Sequence, residues 1–467
     1  MVVVISESFS RAIVDVVGSK YVRCDADTLT LYGQDALQQG HRPDLVVIPG
    51  CTREVAAVAR VCQEARVPLV VRGAGTGYTG GAVPVRGGVV MSMERLNRIL
   101  EIDEINLLAV VQPHVTTGDL QRAVETVGLF YPPDPASLER CSIGGNVAEC
   151  AGGPRAFKYG TTKRYVLALE AVLPTGEVVR TGSKAVKNVV GYDLTQLLVG
   201  SEGTLAIVTE ITLRLIPRPP ARATILALFR DIRSAVGAVT ALLQRRVVPA
   251  TLELVDADSL NAVRVHSGEE VAPSGTGAAL IVEVDGMAAA VDDEATLVAD
   301  ACRSAGATRV TLASDQAERD RLWQARRLLS ESLRATGLLK INHDVVVPRG
   351  RVPELFDVIG RLKNEYRLRI AAFGHAGDGN IHVNLMVDRA DSAERDRAKQ
   401  AERVLFERVV ALEGSISGEH GIGYAKAPYI GIELSADVIA LMKRVKYAFD
   451  PYGILNPGKI FPGDSAD

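Results

Sequence analysis

PLVVRGAGTGYTGG, residues 68–81, is the stretch on which the reading of the fold turns. Its first part, Pro68 to Arg72, is short, apolar and rich in valine, and so reads as a buried strand. The strand runs into glycines at 73, 75, 77, 80 and 81. A Rossmann-type dinucleotide site would open from such a loop directly into a helix whose N-terminus holds the diphosphate. Here the chain continues Tyr78-Thr-Gly-Gly-Ala-Val-Pro84, which reads as loop. The Rossmann reading fails on that context. What remains is a run of backbone N–H groups unscreened by side chains, suited to close approach of a diphosphate.

Working outward, Leu45 to Pro49 reads as a strand, Thr52 to Glu64 as a helix capped at Thr52, and Gly88 to Met93 as a further strand. Alternating strands and helices predict α/β layers. Two more polar, glycine-rich segments follow: PPDPAS (132–137) with SIGGNVA (142–148), read as a second loop, and GSEGTLAI (200–207), read as a third. Three prolines in Ile216-Pro-Arg-Pro-Pro220 cannot continue a regular element and mark a boundary. Beyond it, strands (Ala223 to Phe229, Ala279 to Val284) alternate with amphipathic helices such as Ala317 to Arg334. The expected organisation is a domain over 1–218, a second over 219–415, and a C-terminal segment, 416–467, returning to the first.

The bulk properties narrow the function. At 467 residues the chain exceeds a single simple core. A net charge of −3 with 23% charged residues argues against nucleic acid or an anionic membrane as the main partner. The apolar start MVVVIS has no basic residue before it and meets Glu7 early, which makes a poor signal peptide, and no run reaches the ~18 apolar residues of a spanning helix. A cytoplasmic location is expected, with docking at the inner membrane only through a partner. Six scattered cysteines form neither a disulfide framework nor an iron–sulfur site, so a cluster that carries electrons away would sit on another polypeptide.

VVRGAGTGYTGG, PPDPAS, SIGGNVAECAGG and LVGSEGTLAIVTEITLRLIPRP together resemble the vanillyl-alcohol oxidase (PCMH-type) flavoproteins. Within them the chain is similar to the glycolate oxidase catalytic subunit, D-lactate dehydrogenase and D-2-hydroxyglutarate dehydrogenase. The resemblance implies an α+β fold: a PCMH-type FAD domain of two α/β subdomains, and a substrate (cap) domain with an antiparallel sheet flanked by helices. It implies that Arg72, Gly73, Ala74, Gly75, Thr76, Gly77 and Thr79 hold the FAD diphosphate. Pro133, Ser142, Gly144, Gly145, Asn146 and Gly152 would line the flavin and ribityl chain. Glu202, Gly203 and Ile207 would meet the adenosine end, with Asn456 a further contact. Thr76 stands where some relatives carry a histidine bonded to the flavin, so the FAD is expected to be non-covalent.

AAFGHAGDGNIHVNL (371–385) carries the chemistry. Asp378-Gly379 is a favoured two-residue hairpin turn, which would set His375 directly opposite His382, with Cβ atoms roughly 4.5–5.5 Å apart on one face. Asn384 would share that face. Two imidazoles leave a catalytic metal site short of a ligand. GSISGEHGIG (414–423) offers Glu419 as the third and leaves His420 free. The resemblance assigns the same roles: His375, His382 and Glu419 to a divalent cation, zinc first and Mn²⁺ or Fe²⁺ next, and His420 as base. Leu322-Trp-Gln-Ala-Arg326 resembles the family segment whose arginine grips the substrate carboxylate; Lys340 is a second candidate, and Asp344 is read as starting a strand.

The function so implied is FAD-dependent oxidation of a D-2-hydroxy acid, glycolate or D-lactate foremost, to the 2-oxo acid. Partners implied are an electron acceptor, such as an iron–sulfur subunit or a separate FAD-binding subunit; a homodimer is left open. Two rival readings exist. A non-catalytic FAD-binding subunit should lack the histidine–glutamate set, and a metallohydrolase should lack flavin.

Overall fold

Valine-rich runs that are apolar on both sides favour parallel pairing under a cover of helices. Three of them pair so in the computed structural model of the protein, which describes residues 5–268 and 272–462. Leu45–Val47 and Leu69–Arg72 lie on either side of Val89–Ser92, both parallel to it, and Val22–Arg23 closes one edge antiparallel. Helices Glu7–Val17 and Thr52–Glu64 bury Ile13, Val55, Val58 and Cys62 against Leu69, Val89 and Met91. Each large apolar side chain so buried contributes roughly 1.5–3 kcal/mol. The helix cap sits one residue earlier than expected, at Cys51, which makes no side-chain bond. Glu54 instead reaches back to accept from the Gly50 N–H at 2.7 Å.

The chain divides into two units, Met1–Gly152 with Thr161–Arg218 and Glu419–Asp467, and Gly153–Gly160 with Pro219–Gly418. The first holds a second sheet, wholly antiparallel, in the order Ile99–Asp103, Leu108–Val111, Ile207–Arg214, Val166–Val172, Val178–Gly182. SIGGNVA is not the loop expected of it: Ile143–Glu149 is a helix, because Ser142 caps it by accepting from the Gly145 N–H at 3.2 Å. The proline-rich boundary also keeps a two-residue strand, Ile216–Pro217, paired with Leu129–Phe130. Proline is tolerated in so short an edge pairing. The C-terminal segment locks onto the strand that precedes the glycine loop: Leu69 N donates to Ile454 O and Asn456 N to Leu69 O, both at 2.8 Å.

The second unit is a seven-stranded antiparallel sheet, ordered Arg309–Leu312, Ala221–Phe229, Ala278–Gly286, Thr251–Asp256, Arg369–His375, Asn380–Val387, Leu339–Val346. Helices Ala257–Ser267 and Gln316–Arg334 pack Val263, Ala325 and Leu329 over Val255, Ala371, Phe373 and Met386 on one face. Helices Ile232–Gln244, Ala288–Ser304, Val352–Glu365 and Ser392–Ala411 pack on the sheet as well. Among the described residues no helix is long and apolar enough to cross a membrane.

The hairpin departs from the two-residue turn. His375 pairs with Asn380 and Phe373 with His382, leaving Ala376–Gly379 as a four-residue loop. The turn is closed by the Gly379 N–H donating to His375 O at 3.1 Å. Gly379 has φ +86°, and a Cβ there would fall 2.0 Å from Val347 O. Gly379→Ala should therefore cost at least about 1–3 kcal/mol. Urea unfolding checks this, and an unchanged midpoint would show that the loop does not depend on that glycine.

Candidate active site

In the first unit, the strand Leu69–Arg72 delivers the glycine loop against the start of the helix Ile143–Glu149. Gly73 makes that approach possible: a Cβ there would lie 2.3 Å from Ser142 Oγ and 3.7 Å from Gly145 N. The expected diphosphate loop and the N–H groups of Gly144 and Gly145 thus form one wall. Ala74, Gly75, Thr76 and Gly77 along it are half-buried. Asn146 Nδ2 donates to Thr117 Oγ1 at 2.7 Å, and Gln121 Nε2 donates to Pro133 O at 2.9 Å. The Gly145 N–H is held by Ser142 Oγ and the Gly144 N–H donates to Pro113 O at 2.7 Å, so what fits the diphosphate of FAD here is glycine-rich backbone open to close approach. Arg72 folds its guanidinium back over its own loop, donating to Gln34 O and lying over the Tyr32 ring, 5.6 Å from the centroid.

Two expected adenosine contacts have other occupations. The Glu202 carboxylate accepts from Ile422 N–H at 2.7 Å and Gly423 N–H at 2.6 Å, so it fastens the loop after His420. Ile207 is buried in the core beside Leu69 and Met91. Asn456 donates through Nδ2 to Gly81 O at 2.9 Å and to Glu202 O at 2.7 Å, and Gly203 sits beside it with φ +64°. The half-buried Glu149 lies next to Glu202. Burial first, and then the neighbouring carboxylate of Glu202, push the Glu149 carboxyl well above the usual range.

The same unit places the expected base on the glycine loop. The His420 imidazole stacks on Tyr78, with centroids 5.1 Å apart and planes at 20°, and Thr79 Oγ1 donates to His420 O at 3.0 Å. Glu419 Oε2 comes within 2.6 Å of where a Cβ on Gly152 would be. Glycine at 152 therefore leaves room for that carboxylate.

In the second unit the polar groups gather on one face of the sheet. Residues opposite each other in antiparallel strands point the same way and alternate residues share a face. Phe373, His375, Asn380, His382 and Asn384 thus lie together, with Asn342 and Asp344 from the neighbouring strand and Glu253 from the other side. The expected direct His375–His382 pairing is corrected to a diagonal one. The register differs by two residues, an even number, so both rings keep the same face, with centroids 5.3 Å apart and planes at 85°.

Asp344 does not begin a strand. It lies well inside Leu339–Val346, fully buried, opposite His382, with Oδ1 3.8 Å from His382 Nδ1. It accepts from Asn380 Nδ2 at 2.6 Å and from Gly418 N–H at 2.9 Å. Imidazole nitrogens and a carboxylate are the borderline donor set that suits Zn²⁺, Mn²⁺ or Fe²⁺.

The candidate substrate residues flank this face. Arg326 is buried and ion-paired with Glu253, its Nε donating to Glu253 Oε2 at 2.5 Å. Lys340 Nζ donates to Ser330 Oγ at 2.5 Å, and burial, aided by Arg334, lowers its pKa to about 7. Asn384 is fully buried. It donates to Ala371 O and His382 O, both at 3.1 Å, and accepts from Asn342 Nδ2 at 2.7 Å. Among the described residues the buried Asn342 Oδ1 has no hydrogen-bond partner, which leaves an acceptor at this end of the face.

Sequence reasoning passed over Glu253 and Asn380 and gave Asp344 too small a part. Glu253 carried a signal: a carboxylate inside the apolar strand Thr251–Asp256 needs a partner once it is buried.

Comparison with known proteins now places the chain. Residues 43–182 match the family of FAD binding domains, and residues 218–460 match FAD linked oxidases, C-terminal domain. The glycolate oxidase subunit GlcD of Bacillus subtilis is 42% identical over 93% of this chain and 93% of its own length. D-lactate dehydrogenase of Anaerostipes hadrus is 37% identical over 93% of this chain and 91% of its own. Among solved structures, p-cresol methylhydroxylase superposes with a TM-score of 0.82 at 20% identity, covering 99% of both chains, which speaks for the fold alone. The chain has the α+β, PCMH-type flavoprotein fold and belongs to the FAD-linked oxidoreductases of the glycolate oxidase GlcD and D-lactate dehydrogenase type.

Proposed function

We propose that this protein oxidises a small D-2-hydroxy acid, glycolate or D-lactate foremost, to the 2-oxo acid. The observation that carries the reading is the buried polar sheet face, where His375, His382 and Asp344 lie together with Arg326 and Lys340 alongside. A buried cluster of titratable groups costs stability, and such a cost is commonly borne at functional sites. The relatives' names, glycolate oxidase and D-lactate dehydrogenase, support the same chemistry. A bound flavin supplies the two-electron acceptor, and a divalent cation supplies the Lewis acidity that eases loss of the hydroxyl proton.

The roles of the chain's own residues follow. His375 and His382 present imidazole nitrogens for the cation, and Glu419, the residue directly after Gly418, is the third ligand. Asp344 anchors Gly418 through its N–H and so helps to set where Glu419 begins. His420, held by its stacking on Tyr78, accepts the hydroxyl proton at a ring nitrogen. Lys340 binds the substrate carboxylate, and Arg326 stands beside it in its ion pair with Glu253. Asn384 holds the sheet face in shape through its bonds to Ala371 O and His382 O. The word subunit in the relatives' names supports an assembly in which a further chain takes the electrons.

In His420→Ala the FAD should stay bound while anaerobic flavin reduction by substrate slows roughly 10²- to 10⁴-fold. Retention of more than about a tenth of the rate removes His420 from the base role. Lys340 gives a pH test. Its pKa is lowered to about 7, and only the protonated amine binds a carboxylate well. Substrate binding should therefore be tight below about 7 and weaken as pH rises through that value. Lys340→Met should weaken binding and flatten the profile; a profile that keeps its slope in the variant assigns the titration to another group.

A further inference from the structure

We propose that Glu253 is a positioning residue that fixes the tautomer of His375, so that His375 presents Nε2 to the site. This rests on the reading of His375 as a cation ligand. Glu253 lies at the centre of the strand Thr251–Asp256, fully buried and paired in register with His375 on the neighbouring strand. Its two oxygens have separate partners. Oε1 is 2.6 Å from His375 Nδ1, and Oε2 accepts from Arg326 Nε at 2.5 Å.

Arg326, whose guanidinium stays protonated, meets Oε2 through both Nε and Nη2, so Glu253 sits in that ion pair as a carboxylate and accepts hydrogen bonds only. The hydrogen between Oε1 and Nδ1 must then belong to His375. With Nδ1 protonated, Nε2 is the nitrogen that carries the lone pair. A carboxylate behind a ligating imidazole also raises its basicity, and removing one commonly weakens metal binding 10- to 100-fold.

The arrangement has a second consequence. One carboxylate both accepts from a cation-ligand histidine and neutralises the arginine beside the expected substrate site. Nothing in the sequence motif around His375 announces this. Glu253 lies 122 positions upstream, and only the pairing of two strands brings it there.

The test uses the purified holo-flavoprotein and Glu253→Gln, which keeps the shape and removes the charge. Zn²⁺ affinity is measured by chelator competition, alongside flavin content and far-ultraviolet circular dichroism. The proposal expects a 10- to 100-fold weaker Kd for zinc in the variant with FAD retained. An equal Kd overturns it. The second readout is the ¹⁵N-imidazole spectrum of the metal-free protein, at a pH where His375 is neutral. Nδ1 should carry the proton in the wild type, and the two tautomers should mix in Glu253→Gln. A wild-type His375 protonated on Nε2 overturns the proposal. If the wild type binds no zinc, the cation reading above fails, and the tautomer measurement still decides the role of Glu253. Should the single variant fail to fold with its buried Arg326 unpaired, Glu253→Gln/Arg326→Met removes both charges. Wild-type zinc affinity in that protein overturns the proposal, and weakened affinity supports it.

Discussion

A carboxylate without access to water, that of Glu253, sets the terms for the second unit. Left alone in a sheet interior, such a charge would be strongly destabilising. Here it is met from one side by the guanidinium of Arg326 and from the other by the imidazole of His375. Removing one partner of so buried a pair typically costs 3–5 kcal/mol, because the other charge is left uncompensated. The network therefore holds the helix Gln316–Arg334 against the sheet and at the same time aims His375. Apolar packing of Ala325 and Leu329 on Phe373 and Met386 completes the contact. Structure and chemistry depend on the same carboxylate.

In the first unit the corresponding constraint is the C-terminal return. Asn456 ties the glycine loop at Gly81 to the backbone of Glu202, while the Glu202 carboxylate holds the N–H groups of Ile422 and Gly423. Lys459, buried beside them, donates to Val83 O and to Asn456 Oδ1. Glycine loop, GSEG turn and the loop after His420 are thus fastened to one another by buried polar bonds. A loop so rich in glycine cannot be stiffened by side chains of its own, so residues distant in sequence hold it.

Much of this was legible in the residues, and the failures are instructive. The strand before Gly73, the absence of a helix after it, and the helices at Thr52–Glu64 and Gln316–Arg334 follow from periodicity and glycine placement. The helix at Ile143–Glu149 did not, because two adjacent glycines outweigh a serine cap in a propensity reading, whereas in the fold Ser142 and the contact with Gly73 decide. The hairpin shows why a wrong turn can leave the chemistry intact. Asp378-Gly379 suggested a two-residue turn, the observed loop has four residues, and the pairing moved by two. A shift of one would have put the two imidazoles on opposite faces; an even shift preserves the face. Glu202 and Arg326 were recognised as special, but their buried partners belong to segments far away in the chain, which no local motif can specify.

The proposed oxidation of a 2-hydroxy acid needs both a flavin and a cation. The most direct measurement is anaerobic flavin bleaching by glycolate and D-lactate, before and after removal of divalent metal with a chelator and again after adding zinc back. The account predicts rapid bleaching by at least one of the two acids, loss of that bleaching on metal removal with the flavin still bound, and recovery with zinc. Bleaching that proceeds at the same rate in metal-free protein would contradict it.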